Sequence, residues 1–310
     1  MATVQASTKP AVTTSRPLPE TQWTRHRVQT FAFGWLRRLT ILLLILATAL
    51  PFYYMILLSV RTIQQLLLQP GSLWVSFGDM TVNSYKEVLR STDNGGQGFL
   101  RLIGNSLIVA TITVLASLFA SIPGAYAVSR LAFKGRRQIS GLFLVVYLFP
   151  PMIMAIPLYV IFTRIGLRDS LFGLAIVYVA QTIPVAIYML RGYFATIPKS
   201  LEEAALLDGC SRLQILWRIS LPLAMPSVMA TGLYVFMIAW NEFLFALLFL
   251  LTDRPKWTVS LGLSQLSGSI EVPTTVLMAG SVVLTIPIIA LFFATERLLV
   301  EGLTAGAEKG

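Results

Sequence analysis

Few side chains in this sequence could take part in covalent or metal chemistry. The 310 residues include one cysteine, Cys210, and one histidine, His26. A zinc site or a Cys–His nucleophile pair needs several such side chains close together. The sequence also contains no G-x-x-x-x-G-K-[ST], H-E-x-x-H or G-x-S-x-G pattern. It therefore predicts a chain without catalytic residues, metal ligands or a cofactor of its own.

The polar residues with the most informative spacing lie in the 191–222 segment, between two apolar runs. Ser200 and Glu203 have the spacing of a capping box, which predicts a helix that begins at Leu201. Gly209 can end this helix because glycine adopts a left-handed conformation at little cost. A helix of about two turns is far too short to cross a bilayer, so it must have another purpose.

Two interpretations of this short helix are open on physical grounds. It can lie on the membrane surface as an amphipathic helix. However, its acidic residues Glu202, Glu203 and Asp208 are poorly suited to an anionic lipid surface. Its small residues Ala204 and Ala205 would also let another protein approach closely. These features favour a protein partner over lipid.

The composition around this segment is that of a membrane protein. Hydrophobic residues make up 55% of the chain and charged residues 12%, whereas a soluble domain has roughly 25% charged residues. The net charge of +10 comes from basic residues at the edges of apolar runs. This placement indicates membrane topology rather than nucleic-acid binding.

Six apolar runs are long enough to cross a bilayer as helices. They lie at 39–60, 102–128, 139–162, 171–190, 227–251 and 275–293. We expect residues 31–295 to form the transmembrane domain of an all-α multi-pass protein. Residues 1–30, rich in Ser, Thr and Pro, read as a disordered tail, and residues 296–310 as a short C-terminal tail.

The basic residues predict which loops face the cytoplasm. Two thirds of the 24 Lys and Arg residues fall in the two tails and in the 129–138 and 191–222 loops. The positive-inside rule then places both termini and the 191–222 segment in the cytoplasm. The 61–101 and 252–274 loops would face the outside.

Glu242, next to Asn241, is an acidic side chain well inside an apolar run. It lies about 15 residues into the fifth run, or roughly 22 Å along a helix, and so in the outer part of the membrane. Buried ionisable groups in membranes are costly and often functional. Two interpretations stay open: a carboxylate hydrogen-bonded between helices or reaching outward, and a pair of residues that lines a translocation path.

Several motifs resemble those of one family. Glu203-Ala204-Ala205, followed by Gly209, Ile219 and Leu221-Pro222, resembles the EAA motif of permease subunits in ABC importers. Residues 125–135, 190–198 and 239–243 are similar to stretches of maltose-type sugar permeases, and the end of the chain is similar to their G-type subunit. The resemblance covers the chain from about residue 84 onward.

This resemblance implies a type I ABC importer permease fold with six transmembrane helices in the inner or plasma membrane. It implies that the EAA segment is a coupling helix, with Glu202, Glu203, Ala204, Ala205, Asp208 and Gly209 at the contact with an ATPase subunit. It also implies that the tail residues Gly302, Leu303, Thr304, Ala305 and Gly306 dock at the ATPase dimer. The other implied partners are a second permease subunit and an extracytoplasmic sugar-binding protein that the 252–274 loop would reach. ATP and Mg²⁺ would be bound by two ATPase copies.

The cargo implied by the resemblance is a di- or oligosaccharide that moves by alternating access. The same class of permease for glycerol phosphate or a polyol is a close alternative. An ion-coupled secondary transporter is a more distant one, because no inverted repeat is evident and Glu242 alone is ionisable within the runs. An intramembrane enzyme is disfavoured because no nucleophile–base set is evident.

Overall fold

The computed structural model describes residues 20–269 and 271–307, and the regular elements in these ranges are all helical. The first half contains α1 Glu20–Ser59, α2 Ile63–Leu68, α3 Asn83–Leu89, α4 Phe99–Arg130, α5 Arg136–Leu148 and α6 Pro151–Arg164. The second half contains α7 Leu171–Thr196, α8 Lys199–Leu207, α9 Arg212–Ile215, α10 Leu221–Leu223, α11 Met225–Asn241, α12 Leu244–Leu250, α13 Val259–Ser267 and α14 Thr274–Ala307. The all-α fold class is confirmed.

The chain divides into two compact units, residues 1–54 and residues 55–310. In the described residues the first unit is the N-terminal part of α1, with exposed apolar side chains from Leu39 to Leu50. The second unit contains α2 to α14 and two hydrophobic clusters. Residues 20–30, expected in a disordered tail, belong to α1 instead, while residues 1–19 lie outside the described residues.

The described residues contain four helices that are long and apolar enough to cross a membrane unbroken. They are Phe33–Ser59, Phe99–Arg130, Leu171–Thr196 and Thr274–Glu296. Two bent helix pairs bring the number to six if each pair is one span. The six predicted runs are therefore present, but the third and fifth are not straight helices.

The third run is broken between α5 and α6, whose axes differ by 90°. The cause lies in the consecutive prolines Pro150 and Pro151. A residue before proline is pushed out of the helical region, and both Phe149 (φ −72°, ψ 129°) and Pro150 (φ −63°, ψ 119°) are extended. Pro151 then begins α6, at a position where its missing N–H costs nothing.

The fifth run, 227–251, is interrupted once, and the chain also bends just before it. The Arg212–Leu223 segment bends by 79° into α11 at Ala224. α11 then ends at Asn241, Glu242 is extended (φ −64°, ψ 131°), and α12 begins at Leu244. The predicted 227–251 helix is therefore two helices, and Glu242 lies at the break between them.

Helices α4, α7, α11 and α14 build the bundle that positions the polar segments. α4 packs along α7, where the buried hydroxyls of Ser117 and Thr182 are 2.7 Å apart. Small and hydroxyl side chains allow such close approach of membrane helices. The Trp240 indole of α11 is fully buried and donates to the Leu284 carbonyl of α14 at 3.0 Å. These contacts hold α4 against α7 and α11 against α14.

Helix α14 continues beyond the sixth predicted run. Its backbone is helical to Ala307, so residues 296–307, expected as a separate tail, extend this helix. Residues 302–306 lie within it, and residues 308–310 lie outside the described residues. The docking role of Gly302, Leu303, Thr304, Ala305 and Gly306 stays a prediction.

Candidate functional site: the 198–222 segment

Pro198 separates the long helix α7 from the short helix α8. Ile197, which precedes the proline, is extended (φ −65°, ψ 130°), and α7 therefore ends at Thr196. Pro198 is itself extended, and α8 begins at Lys199. Because Ser200 lies inside this helix and caps nothing, the predicted capping box of Ser200 and Glu203 is wrong.

A capping box is present one helix later, at α9. The Ser211 hydroxyl accepts from the Gln214 backbone N–H at 3.3 Å, and the Gln214 side chain accepts from the Ser211 N–H at 2.7 Å. Ser-x-x-Gln satisfies the pattern as well as Ser-x-x-Glu does. The sequence signal was therefore available at residues 211–214, two residues after the glycine that ends α8.

Gly209 ends α8 as predicted. Its φ is +83°, a left-handed conformation that L side chains rarely adopt. The Cys210 N–H bonds the Ala205 carbonyl at 2.9 Å, and the Gly209 N–H bonds the Leu206 carbonyl at 3.1 Å. This pair of bonds is a Schellman motif, which satisfies carbonyls that the helix end would leave unpaired. A side chain at position 209 would meet open space but would strain the backbone.

The predicted contact residues of α8 divide between two faces. Glu203, Ala204 and Asp208 are exposed. Ala205 is buried, and Glu202 is only 5% exposed. Glu202 therefore does not belong to the exposed acidic face that the sequence suggested. Leu207, which the sequence prediction omitted, is 90% exposed.

Glu202 is held by three side chains from two other elements. Its Oε1 lies 3.3 Å from Arg130 Nε at the end of α4 and accepts from the Ser220 hydroxyl at 3.1 Å. Its Oε2 accepts from the Tyr126 hydroxyl at 3.4 Å. We call these four residues, Tyr126, Arg130, Glu202 and Ser220, the Glu202 cluster. Sequence reasoning missed Tyr126, Arg130 and Ser220, because no local sequence pattern links these positions to Glu202.

Ser220 enters this cluster from a π-helical turn, Leu216–Ser220, that connects α9 to α10. Pro222, two residues later, has no N–H for a regular helical bond, and single π-helical turns often mark functional positions. Leu216 and Ser220 are buried on the inner side of this turn, while Trp217 is 43% exposed. The motif residues Ile219 and Leu221 are half-buried.

The Glu242 side chain caps the N-terminus of α12 from one residue before the N-cap position, which is Phe243. Its carboxylate accepts from the backbone N–H groups of Phe245 at 2.9 Å and Ala246 at 3.2 Å, and from the Tyr178 hydroxyl of α7 at 2.5 Å. A carboxylate next to unpaired N–H groups at a helix start is favourable. Of the two interpretations of Glu242, this geometry favours the one with hydrogen bonds between helices.

Asn241 faces an open groove of about 430 Å³ between α11, α13 and α14. Its side-chain amide donates to the Met237 carbonyl at 2.9 Å. The groove is also lined by the hydroxyls of Ser260, Ser264, Ser267 and Ser281 and by apolar side chains that include Phe243. Asn241 is therefore accessible, unlike the carboxylate of its neighbour Glu242.

Comparison with known proteins assigns the class. Residues 112–301 match the family described as "Binding-protein-dependent transport system inner membrane component". The matched residues include α8, the Glu202 cluster and the break at Glu242. The chain belongs to this family, and it is an inner-membrane permease component.

Individual relatives agree with this assignment. The chain is 37% identical over 269 residues to the inner membrane ABC transporter permease protein YcjP of Escherichia coli, covering 86% of this chain and 94% of that protein. It is 38% identical over 261 residues to the trehalose/maltose transport system permease protein MalG of Thermococcus litoralis, covering 84% and 91%.

A solved structure is similar over most of the fold. A bacterial ABC transporter involved in the import of the acidic polysaccharide alginate contains a chain that matches with a TM-score of 0.74 and 25% identity. The match covers 87% of this chain and 97% of that one. The type I ABC importer permease fold expected from the EAA-like spacing is confirmed.

Proposed function

We propose that this chain is one of two membrane-spanning permease subunits in an ABC importer for a di- or oligosaccharide. Three observations support a carbohydrate cargo: a relative named for trehalose and maltose transport, a structural neighbour involved in alginate import, and a hydroxyl-lined groove in this chain. The same kind of permease for glycerol phosphate or a polyol is the second candidate, and the groove's small polar side chains suit it equally.

Helix α8 is the contact with a separate ATPase subunit in this proposal. The observation that carries this assignment is a two-turn helix that presents Leu207, Glu203 and Ala204 outward. A projecting leucine suits a complementary cleft in another protein, because its burial there removes apolar surface from water. The sequence predicts the cytoplasmic side of the membrane for this helix, where an ATPase is accessible.

In the proposed mechanism, separate ATPase subunits bind ATP and this chain moves in response. ATP and Mg²⁺ are bound by the two ATPase copies, and closure of their dimer moves α8 as a rigid unit. The bundle of α4, α7, α11 and α14 then reorients and exposes the cavity to one side of the membrane at a time. This chain supplies half of the cavity wall and no bond-making step. An extracytoplasmic binding protein delivers the sugar, with the 252–274 loop as its contact.

The test of the ATPase contact uses two glycines of equal geometry. Gly209 and Gly135 both have a left-handed φ, +83° and +87°, and a side chain at either would meet open space. Gly209→Trp places a bulky group beside the outward face of α8, whereas Gly135→Trp places it in the 129–138 loop. We expect Gly209→Trp to abolish ATP-driven uptake in vesicles, and Gly135→Trp, equally strained, to retain it.

A charge-reversing substitution is a second test of the ATPase contact. Glu203→Arg changes an exposed side chain and leaves the buried partners of α8 intact. Membrane insertion should be normal and uptake lost. Normal uptake by both Gly209→Trp and Glu203→Arg would exclude α8 as the ATPase contact.

The cargo is tested separately from the contact. The complex is purified from native membranes, and the associated binding protein is screened against maltose, trehalose, alginate oligosaccharides, glycerol phosphate and polyols. Binding of a di- or oligosaccharide supports the proposal. Binding of glycerol phosphate or a polyol alone replaces it with the second candidate.

A further inference from the structure

Glu202 is the charged side chain of α8 that turns away from the proposed ATPase contact. Lys199 and Glu203 on the same helix are exposed, whereas the Glu202 side chain is 7% exposed and that of Arg130 only 4%. Two opposite charges are thus buried together on the inner face of α8. A buried charge is tolerated when it is paired and hydrogen-bonded, and both are.

Arg130 also contacts the end of α7. Its Nη2 donates to the backbone carbonyls of both Phe194 and Ile197. These carbonyls lie where α7 ends, and Pro198 has no N–H to offer them. A cation at a helix C-terminus is favourable because the last carbonyls are unpaired and partly negative. One guanidinium group therefore joins α4, the end of α7 and, through Glu202, α8.

The remaining partners of Glu202 extend this junction. Ser220 connects the carboxylate to the π-helical turn that leads into α11, and Tyr126 connects it to α4 one turn before Arg130. The Tyr126 ring also packs edge-on against Phe194 at 5.9 Å. The Glu202 carboxylate thus contacts α4 and the turn that leads toward α11 directly, and it reaches the end of α7 through Arg130.

From this geometry we propose that the Glu202 cluster is the joint that transmits the movement of α8 to the bundle. Arg130 and Glu202 are its positioning residues, and neither faces the proposed ATPase contact or the groove at Asn241. The proposal rests on the proposed role of α8. It adds that force reaches α4 and α7 through the ion pair and the hydrogen bonds around it, not only through the apolar packing.

An ion pair suits this purpose for a physical reason. Burying two charges costs nearly as much as their attraction returns, so an apolar pair of similar volume is often as stable. What the charged groups add is direction, because each can make hydrogen bonds that fix both a distance and an angle. Glu202 accepts from the Tyr126 and Ser220 hydroxyls, and Arg130 donates to two carbonyls at the end of α7. Apolar side chains at these positions would hold the helices together and still let α8 slide or rotate.

The experiment separates transmission from stability by comparing single and double replacements. Arg130→Met and Glu202→Met each leave one buried charge unpaired, which destabilises strongly. The double variant Arg130→Met/Glu202→Met leaves no unpaired charge and should assemble. Each complex, with its ATPase subunits and binding protein, is reconstituted in vesicles. The measured quantity is carbohydrate imported per ATP hydrolysed, using whichever of maltose, trehalose or alginate oligosaccharide binds the native binding protein.

We expect the double variant to retain its ATPase subunits and ATP hydrolysis but to import about tenfold less sugar per ATP, within the ~5–150-fold range of typical coupling energies. Glu202→Gln, which keeps the side chain's shape and an acceptor for Ser220, should lose coupling in the same direction. Arg136→Met is the control, because Arg136 caps the end of α4 at the Val128 and Ser129 carbonyls with no tie to α8. It should stay within about twofold of the parent.

The proposed role of the Glu202 cluster is wrong if either the double variant or Glu202→Gln imports as much sugar per ATP as the parent. If the double variant does not insert, Glu202→Gln decides alone. A failure of the proposed function looks different: the unmodified complex then imports no carbohydrate with ATP, or Gly209→Trp imports it normally. Normal import by the parent, loss in Gly209→Trp and normal coupling in the double variant would reject only the joint.

Discussion

The Tyr178 hydroxyl of α7 donates a hydrogen bond to the Glu242 carboxylate, which also caps the first turn of α12. This contact joins an unbroken helix to the break in the fifth apolar run. The Ser260 hydroxyl of α13 bonds the Glu242 backbone carbonyl at 2.6 Å. Three separate elements therefore stabilise one non-helical residue within the membrane domain. Such breaks persist in membranes when their polar groups are satisfied by protein.

A first prediction follows from the capping role of Glu242. Glu242→Gln keeps an oxygen that can accept from the Phe245 N–H, so we expect it to retain uptake with a small loss of stability. Glu242→Leu removes every acceptor and leaves buried donors unpaired, at a cost of about 1–3 kcal/mol. Thermal unfolding in detergent and vesicle uptake check both. Loss of uptake in Glu242→Gln at unchanged stability would instead assign this carboxylate to the translocation path.

The second prediction compares two serines of the 198–222 segment. Ser211→Ala removes the capping box of α9, and such losses cost about 0.5–2 kcal/mol. Ser200→Ala changes a residue inside α8 that caps nothing, so its effect should stay within about 0.5 kcal/mol. Hydrogen exchange of the amides at 211–215 is the measurement. Faster exchange in Ser200→Ala than in Ser211→Ala would contradict the positions of these caps.

The local features of this fold could be predicted from the sequence. Hydropathy located the six runs because apolar length is a property of the local chain. The left-handed glycine at position 209 was predictable for the same reason. The two prolines indicate the break at Phe149–Pro150, although they do not predict its bend angle.

The features that the sequence does not predict depend on contacts between residues that are far apart in the sequence. Arg130 is 72 positions from Glu202, and nothing near either residue indicates the other. Glu202 and Glu203 are equivalent in composition, yet opposite in exposure. Helical periodicity separates them by about 100°, and only the positions of α4 and α7 determine which one turns inward. Motif spacing predicts the segment but cannot divide its residues between an inner and an outer face.

A third prediction concerns the 252–274 loop. The Asn105 side-chain amide of α4 donates to the carbonyls of Pro255 and Trp257, both at 2.9 Å. Asn105→Leu removes both bonds and should increase hydrogen exchange at 254–260, because each lost bond costs about 1 kcal/mol. Asn83→Leu is the comparison, since Asn83 is exposed on α3. Unchanged exchange in Asn105→Leu would show that this loop is held by other contacts, such as the Ser106 hydroxyl that accepts from the Val259 N–H at 2.8 Å.

The fourth prediction uses two glycines of α7 that differ only in their surroundings. A Cβ at Gly173 would lie 2.3 Å from the Leu167 carbonyl oxygen, a backbone atom that cannot move aside without shifting the loop before α7. At Gly192, a Cβ would meet nothing within 4 Å. Alanine is favoured over glycine in a helix by about 1 kcal/mol. We therefore expect Gly192→Ala to raise the unfolding temperature in detergent and Gly173→Ala to lower it. Equal shifts in both variants would mean that the Leu167–Gly173 approach is not as close as the structure places it, and that helix propensity alone governs both positions.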